Sequence, residues 1–221
     1  MAKNHPTRLG KLAKNIMRKR EPMGRSRRRA NRIAAAILEK ETFITSSHIL
    51  KCLESWKFHR NNTRRNVFPS VDTEFVWSDT LGLVATRDSQ RIVLTKASLA
   101  YPSFFKLLCR FVECHHDHAK FKQQRFAFTS ININFGFGCR LHRDTYNRGP
   151  SITKSFGAFT GGRLFYYPDD DGRTTLEDLR PHSDKGHAVA LQTSRDLVLF
   201  EGRRSHSVED FVGVRDRKSV V

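Results

Sequence analysis

Two rhythms divide the chain. Up to about residue 125 the apolar residues recur at helical spacing or in isolated runs, and from Ala127 onward they alternate with polar ones. The alanine-rich run ANRIAAAILEKE at 30–41 predicts a helix. A second helix is expected to begin near Ser46 or Ser47, either of which could cap it, and to carry Ile49, Leu50, Leu53 and Trp56 at helical spacing. Residues 60–70 (RNNTRRNVFPS) read as loop, and residues 71–97 hold short strand-like runs. From Ser98 to Cys114 a third helix is expected. Pro102 lies near its start, and Phe104, Leu107, Leu108 and Phe111 share one face. Beyond that point Ile131, Ile133 and Phe135 alternate with Asn132 and Asn134, the period of a strand. The runs GAFTGGRLFYYP, GHAVALQT, RDLVLFEG, HSVEDFVG and KSVV follow, separated by Gly, Pro or Asp turns. Gly161 and Gly162 suit a tight turn.

Many short strands without intervening helices indicate a sandwich, jelly roll or barrel. The expected class is therefore mainly β with flanking N-terminal helices (α+β). Residues 30–221 are expected to form one domain, in which helical support at 30–125 buttresses a β core at 126–221. Residues 1–28, basic and interrupted by Pro and Gly, read as a disordered arm.

Charge sharpens this division. The 221 residues carry a net +18, of which 1–40 alone supply +11 from 13 Lys or Arg against two Glu. Such an arm suits the phosphates of a nucleic acid, which is the expected partner, or a solvated tail without one. Lys19 to Arg32 could serve as a nuclear import patch, and the arginine-rich start could equally be an organelle transit peptide. Four Cys in a chain this long do not make a disulfide framework, and no secretory signal is evident, so nucleus or cytoplasm is the expected location. No run approaches the roughly 18–20 apolar residues that span a bilayer, so no membrane partner is expected.

Candidate chemistry centres on CRLHRDTYN. His142 and Asp144 stand two residues apart, and on a strand positions i and i+2 point to one face. His206, just after the turn EGRRS, opens another strand and is the candidate third ligand. Two histidines and one carboxylate occupy one face of an octahedral Fe(II) and leave three positions for a cosubstrate and oxygen. An HxD pair alone is weak, since it also arises as a polar turn with a surface Asp. Its value lies in the combination with an alternating strand before it, a GG-containing strand pair, the distal His, and an Arg followed by a Ser near the end.

Written as HRDTYNRGPS, FTGGRLFYY, RRSHSV and VRDRKSVV, the segment from Asn132 to Val221 resembles the 2-oxoglutarate/Fe(II) oxygenase superfamily. It is similar in particular to the branch with the TET and JBP thymine or 5-methylcytosine hydroxylases and their protist and algal relatives. That resemblance implies a double-stranded β-helix (jelly-roll, cupin-like) core. It also implies oxidation of a C–H bond by O2, with decarboxylation of 2-oxoglutarate to succinate. His142, Asp144 and His206 would hold Fe(II). Arg217 would take the distal carboxylate of 2-oxoglutarate through its planar fork, with Ser219 adding a hydroxyl donor. Arg215 competes for that role, because GVRDRKS carries two more residues than the usual pattern. Asn132 and Asn134 could bond to the cosubstrate or face solvent. Asn147, in the HRDxxN position, and Tyr166, after the GG pair, are candidates to meet substrate. The substrate could be a pyrimidine methyl group in nucleic acid, a protein side chain as in prolyl hydroxylases, or a small molecule. A catalytically inactive barrel that binds nucleic acid is the reading from another class. The family would normally continue the final strand past Val221, so the sequence is expected to be either a fragment or a member with a C-terminally trimmed core.

Other signals carry less. Cys109, Cys114, His115, His116 and His118 cluster visually, but their spacing is awkward for zinc and suits a helix end. Asp169, Asp170 and Asp171 read as turn residues, since the regular oxygen-donor pattern of a calcium loop does not continue.

Overall fold

A computed structural model describes residues 22–86, 91–115, 126–173, 175–176 and 188–220, with side chains described as far as residue 213. Four helices are present among them: α1 (Met23–Lys40), α2 (Ser46–Ser55), α3 (Lys96–Ala100) and α4 (Pro102–His115). The N-terminal strands are β1 (Arg60–Asn61), β2 (Val76–Ala85) and β3 (Ile92–Leu94). Eight more follow: β4 (Ser130–Phe135), β5 (Cys139–His142), β6 (Ser151–Gly161), β7 (Leu164–Tyr166), β8 (Val189–Leu191), β9 (Val198–Phe200), β10 (His206–Val208) and β11 (Phe211–Val220). Among the described residues no helix is long and apolar enough to cross a membrane.

Local chemistry explains several boundaries. Helix α1 starts two turns earlier than its alanine-rich centre suggests, so residues 23–28 of the expected basic arm are helical. The reason lies far away in sequence. Arg27 is buried, donates through Nη2 to both carboxylate oxygens of Asp79 on β2 (2.8 and 2.7 Å) and lies over the Trp56 ring. The cap of α2 is Thr45 rather than either serine. Its hydroxyl accepts from the His48 N–H, and the His48 ring accepts from the Thr45 N–H. The third expected helix is broken at Tyr101, where Pro102 starts α4, and the Asn31 side chain of α1 accepts the Phe104 N–H. Residues 1–21, with most of the basic arm, and His116 and His118 lie outside the described residues.

The strands make two sheets. A seven-stranded sheet runs β1-β2-β4-β11-β6-β9, with β3 paired to one end of β2, and a four-stranded sheet runs β5-β10-β7-β8. Ile131 and Ile133 of β4 and Ile152 and Phe156 of β6 pack one face of the large sheet against Ala34, Leu53, Phe104 and Leu107 of the helices. The alternate positions Asn132, Asn134 and Ser151 face the other way and line a cavity shared with the small sheet. A second apolar cluster, Val67, Cys139, Leu164, Phe200 and Val208, joins the two sheets beside that cavity.

This connectivity corrects the expected fold class. Among the described residues neither sheet closes on itself: the large one ends at β1 and β9, the small one at β5 and β8. The chain is a mixed α/β structure with open sheets, not a mainly β protein with a double-stranded β-helix, jelly-roll core. Physically, β1 and β2 extend the large sheet past β4, and the helices cover its outer face. Its apolar side is thus buried without closure.

Candidate metal centre

Strand register builds the site. In the antiparallel ladder of β5 and β10, His142 and His206 are directly opposed, which puts both rings on one face. Their centroids are 4.3 Å apart. Asp144 follows β5, its N–H donating to the Gly202 carbonyl (2.8 Å) in the turn that leads to His206. The ligand atoms of His142, Asp144 and His206 all lie within 4.8 Å of one another.

The donor chemistry fits a divalent metal such as Fe(II). Nδ1 of His142 lies 2.8 Å from the Arg140 carbonyl and Nδ1 of His206 lies 2.9 Å from the Arg204 carbonyl. A carbonyl can only accept, so both Nδ1 atoms carry a proton, which leaves Nε2 as the ring atom that would bind a metal. Those Nε2 atoms stand 3.7 and 3.9 Å from the two Asp144 oxygens. That is too far for hydrogen bonds and suits donors converging on a shared ion. His142 and His206 are buried and Asp144 is half-buried, so the open side faces the cavity.

Other residues hold this triad in place. Asn147 donates from Nδ2 to Asp144 (3.2 Å) and to the Ser151 hydroxyl (3.0 Å), so it orients a ligand, and it also lines the cavity. A Cβ on Gly202 would sit 2.8 Å from the Asn147 amide and 3.3 Å from an Asp144 oxygen. Asp170 is the larger device. Its carboxylate takes Nε and Nη2 of Arg143 (2.7 and 2.6 Å), the N–H and hydroxyl of Ser205 (both 2.6 Å) and the Gly172 N–H (2.9 Å). Arg143 stands between two ligands and Ser205 precedes the third, so one buried acid ties both ligand-bearing segments together. Burial alone would raise its pKa, but the donors from Arg143, Ser205 and Gly172 hold it well below the usual carboxylate range.

The remaining expected residues fall as follows. Asn132 and Asn134 both line the cavity; Asn132 accepts from the Thr80 hydroxyl (2.7 Å) and Asn134 from Arg64 Nη1 (3.4 Å). Tyr166 pairs with His206 in the β7–β10 ladder and its hydroxyl meets the Glu201 N–H (3.4 Å), but it is not part of the cavity wall. The backbone of β11 places Arg217 at an irregularity between Asp216 and Lys218, and Ser219 opposite Ile133 and Lys154. The side chains of Arg215, Arg217 and Ser219 lie outside the described residues. The sequence expectation gives Arg64, Gly202 and Asp170 no role in the site. Asp170 looks like a turn acid, Arg64 belongs to a basic loop, and only long-range contacts separate either from its neighbours.

No protein-family model matches the chain, and no curated protein sequence does. Among solved structures, it is similar to an oxidoreductase of the 2OG-Fe(II) oxygenase family from Burkholderia pseudomallei (TM-score 0.48, 14% identity, covering 86% of this chain and 88% of that one). A second is the Fe(II)/(alpha)ketoglutarate-dependent dioxygenase TqaL (TM-score 0.38, 9% identity, covering 91% and 89%). At such identities and TM-scores neither likeness carries an argument, and the chemistry rests on the triad.

Proposed function

We propose that the protein is an Fe(II)- and 2-oxoglutarate-dependent dioxygenase that hydroxylates a C–H bond. The observation that carries this reading is the triad His142, Asp144 and His206, with both Nε2 atoms and a carboxylate converging on one open face. Fe(II) held there would supply the coupled oxidation in which O2 places one oxygen on the substrate carbon and one in succinate, with loss of carbon dioxide from 2-oxoglutarate.

The chain's own residues do the positioning. The carbonyls of Arg140 and Arg204 fix the histidine tautomers, and Asn147 aims the Asp144 carboxylate. Asn132 and Asn134 present amides to the cavity. On this reading Arg217 or Arg215 pairs with the distal carboxylate of 2-oxoglutarate, and Ser219 adds a donor. The substrate we favour is a pyrimidine methyl group in nucleic acid. The likeness of HRDTYN to the TET and JBP branch and the basic N-terminal arm both support it. A duplex substrate would then need its base flipped out of the stack.

The test measures succinate formed from 2-oxoglutarate by the iron-loaded protein in air, with and without pooled DNA and RNA, beside His142→Ala. Turnover that nucleic acid stimulates and His142→Ala abolishes is the expected result. Turnover indifferent to nucleic acid would retain the oxygenase and discard the substrate. No turnover by folded, metal-loaded protein with either pool or with peptides would leave a small-molecule oxygenase or a non-catalytic module.

A further inference from the structure

The cavity in front of the triad has a volume of about 1360 Å³. Pockets for drug-sized ligands run to roughly 300–1,000 Å³, so this one has room for a second molecule beside a small dicarboxylate. Its charges are lopsided. Among the described residues, three arginines, Arg64, Arg148 and Arg203, line it against one carboxylate, that of Asp144. Arg148 and Arg203 are exposed at the rim, whereas Arg64 is half-buried. A divalent ion on the triad would exceed the charge of Asp144 by one, and a dianionic cosubstrate would not cancel that excess and three guanidiniums together.

Arg64 is built to face inward. It precedes a 3-10 turn, Arg65–Val67, that is pinned to β5: Arg140 donates to the Arg65 carbonyl (3.1 Å) and Val67 is buried with Cys139. Its side chain meets a neutral acceptor, Asn134 Oδ1, at a long 3.4 Å, and among the described residues it forms no ion pair. A guanidinium has five N–H donors in a planar fork. Burial pushes its pKa down, and the Asp144 carboxylate opposes that shift. Its charge is therefore held at a desolvation cost that an incoming anion would offset.

We propose that Arg64 receives an oxyanion, a carboxylate or a phosphate, carried by the substrate, so that this cavity selects anionic substrates. The inference rests on the oxygenase reading for which molecule is oxidised, but not for the anion site itself. Binding is measured by calorimetry on the protein loaded with Mn(II) and saturating 2-oxoglutarate, and again without metal. Two matched pairs serve as probes: thymidine 5′-monophosphate against thymidine, and N-acetylleucine against N-acetylleucinamide. In at least one pair the anion should bind about ten- to a hundred-fold tighter than its neutral partner, as expected for a charge-assisted hydrogen bond. The discriminated pair identifies phosphate or carboxylate.

Arg64→Ala should erase that margin and Arg64→Lys retain part of it, with 2-oxoglutarate affinity unchanged in both and melting curves confirming the fold. The proposal is overturned if the parent discriminates neither pair, or if the margin survives in Arg64→Ala. It is also overturned if the loss falls on 2-oxoglutarate, which would make Arg64 the cosubstrate anchor. Failure of the parent to bind Mn(II) and 2-oxoglutarate would instead count against the oxygenase reading, while the metal-free arm still judges Arg64.

Discussion

Replacing Asp170 by asparagine keeps its shape and removes its charge. Five donors converge on that carboxylate, from Arg143, Ser205 and Gly172. An amide presents one oxygen and one NH2, so at least one donor among them would face another donor. The Asp170 side chain is fully buried and that of Arg143 is 20% exposed, so the cost belongs at the lower end of the range for breaking a buried pair, about 3 kcal/mol. For a chain of this size that corresponds to a fall in Tm of roughly 6–12 °C. Because Arg143 and Ser205 each adjoin a metal ligand, Mn(II) affinity should also fall by about 10- to 100-fold, as for loss of other outer-shell partners. Thermal melts and Mn(II) titrations measure both, with Asp169→Asn, an exposed neighbour, as the control. If Asp170→Asn melts and binds Mn(II) like Asp169→Asn, the coupling described above is refuted. A lower Tm with intact affinity would leave Asp170 a purely structural group.

Four further outcomes are expected. The low pKa of Asp170 makes its contribution to stability fully present above the usual carboxylate range, near 4, and progressively lost as pH falls below it; melts from pH 7 to 3 should therefore be steeper for the parent than for Asp170→Asn. Gly202→Ala should cost about 1–3 kcal/mol by overpacking and weaken Mn(II) binding, because its new methyl group meets Asn147 and Asp144, and urea unfolding with a metal titration separates the two effects. Asp79→Ala strands the buried Arg27 and frees the Trp56 and His59 N–H groups it accepts (2.9 and 3.2 Å); urea unfolding should show a loss of about 3–5 kcal/mol, with Mn(II) affinity retained when the folded protein is titrated. His206→Ala should abolish specific Mn(II) binding while the fold persists, as read by circular dichroism alongside the titration.

The sequence made the parts of the site with short spacing legible. The pair His142 and Asp144 depends only on the two-residue period of a strand, and His206 could be assigned because it opens the strand after EGRRS. The face alternation of β4 was readable too, Ile131 and Ile133 on one side and Asn132 and Asn134 on the other, but whether the asparagines met a cavity or solvent was decided only by the packing of the two sheets. What escaped depends on partners far apart in the chain. The first turns of α1 look like disordered basic arm until Arg27 meets Asp79. Asp170 sits in a run of three aspartates whose middle member alone is buried. Open or closed sheets could not be told apart either, because strand periodicity reports which face is buried and says nothing about which edges pair.

The opposition of His142 and His206 has a consequence for how the chain assembles. Their spacing is set by backbone hydrogen bonds between β5 and β10, two segments far apart in sequence. A slip of one residue would turn His206 to the other side of its strand and dismantle the donor set. A metal ion bound there would therefore discriminate between the native pairing and its near misses. At a free concentration a hundred times its Kd it would favour the native alignment by about 2.7 kcal/mol. The ion would act late in folding, as a clasp that rewards the finished alignment rather than a template that creates it. Refolding yield should accordingly rise with divalent metal in the parent and be indifferent to it once His206 is gone.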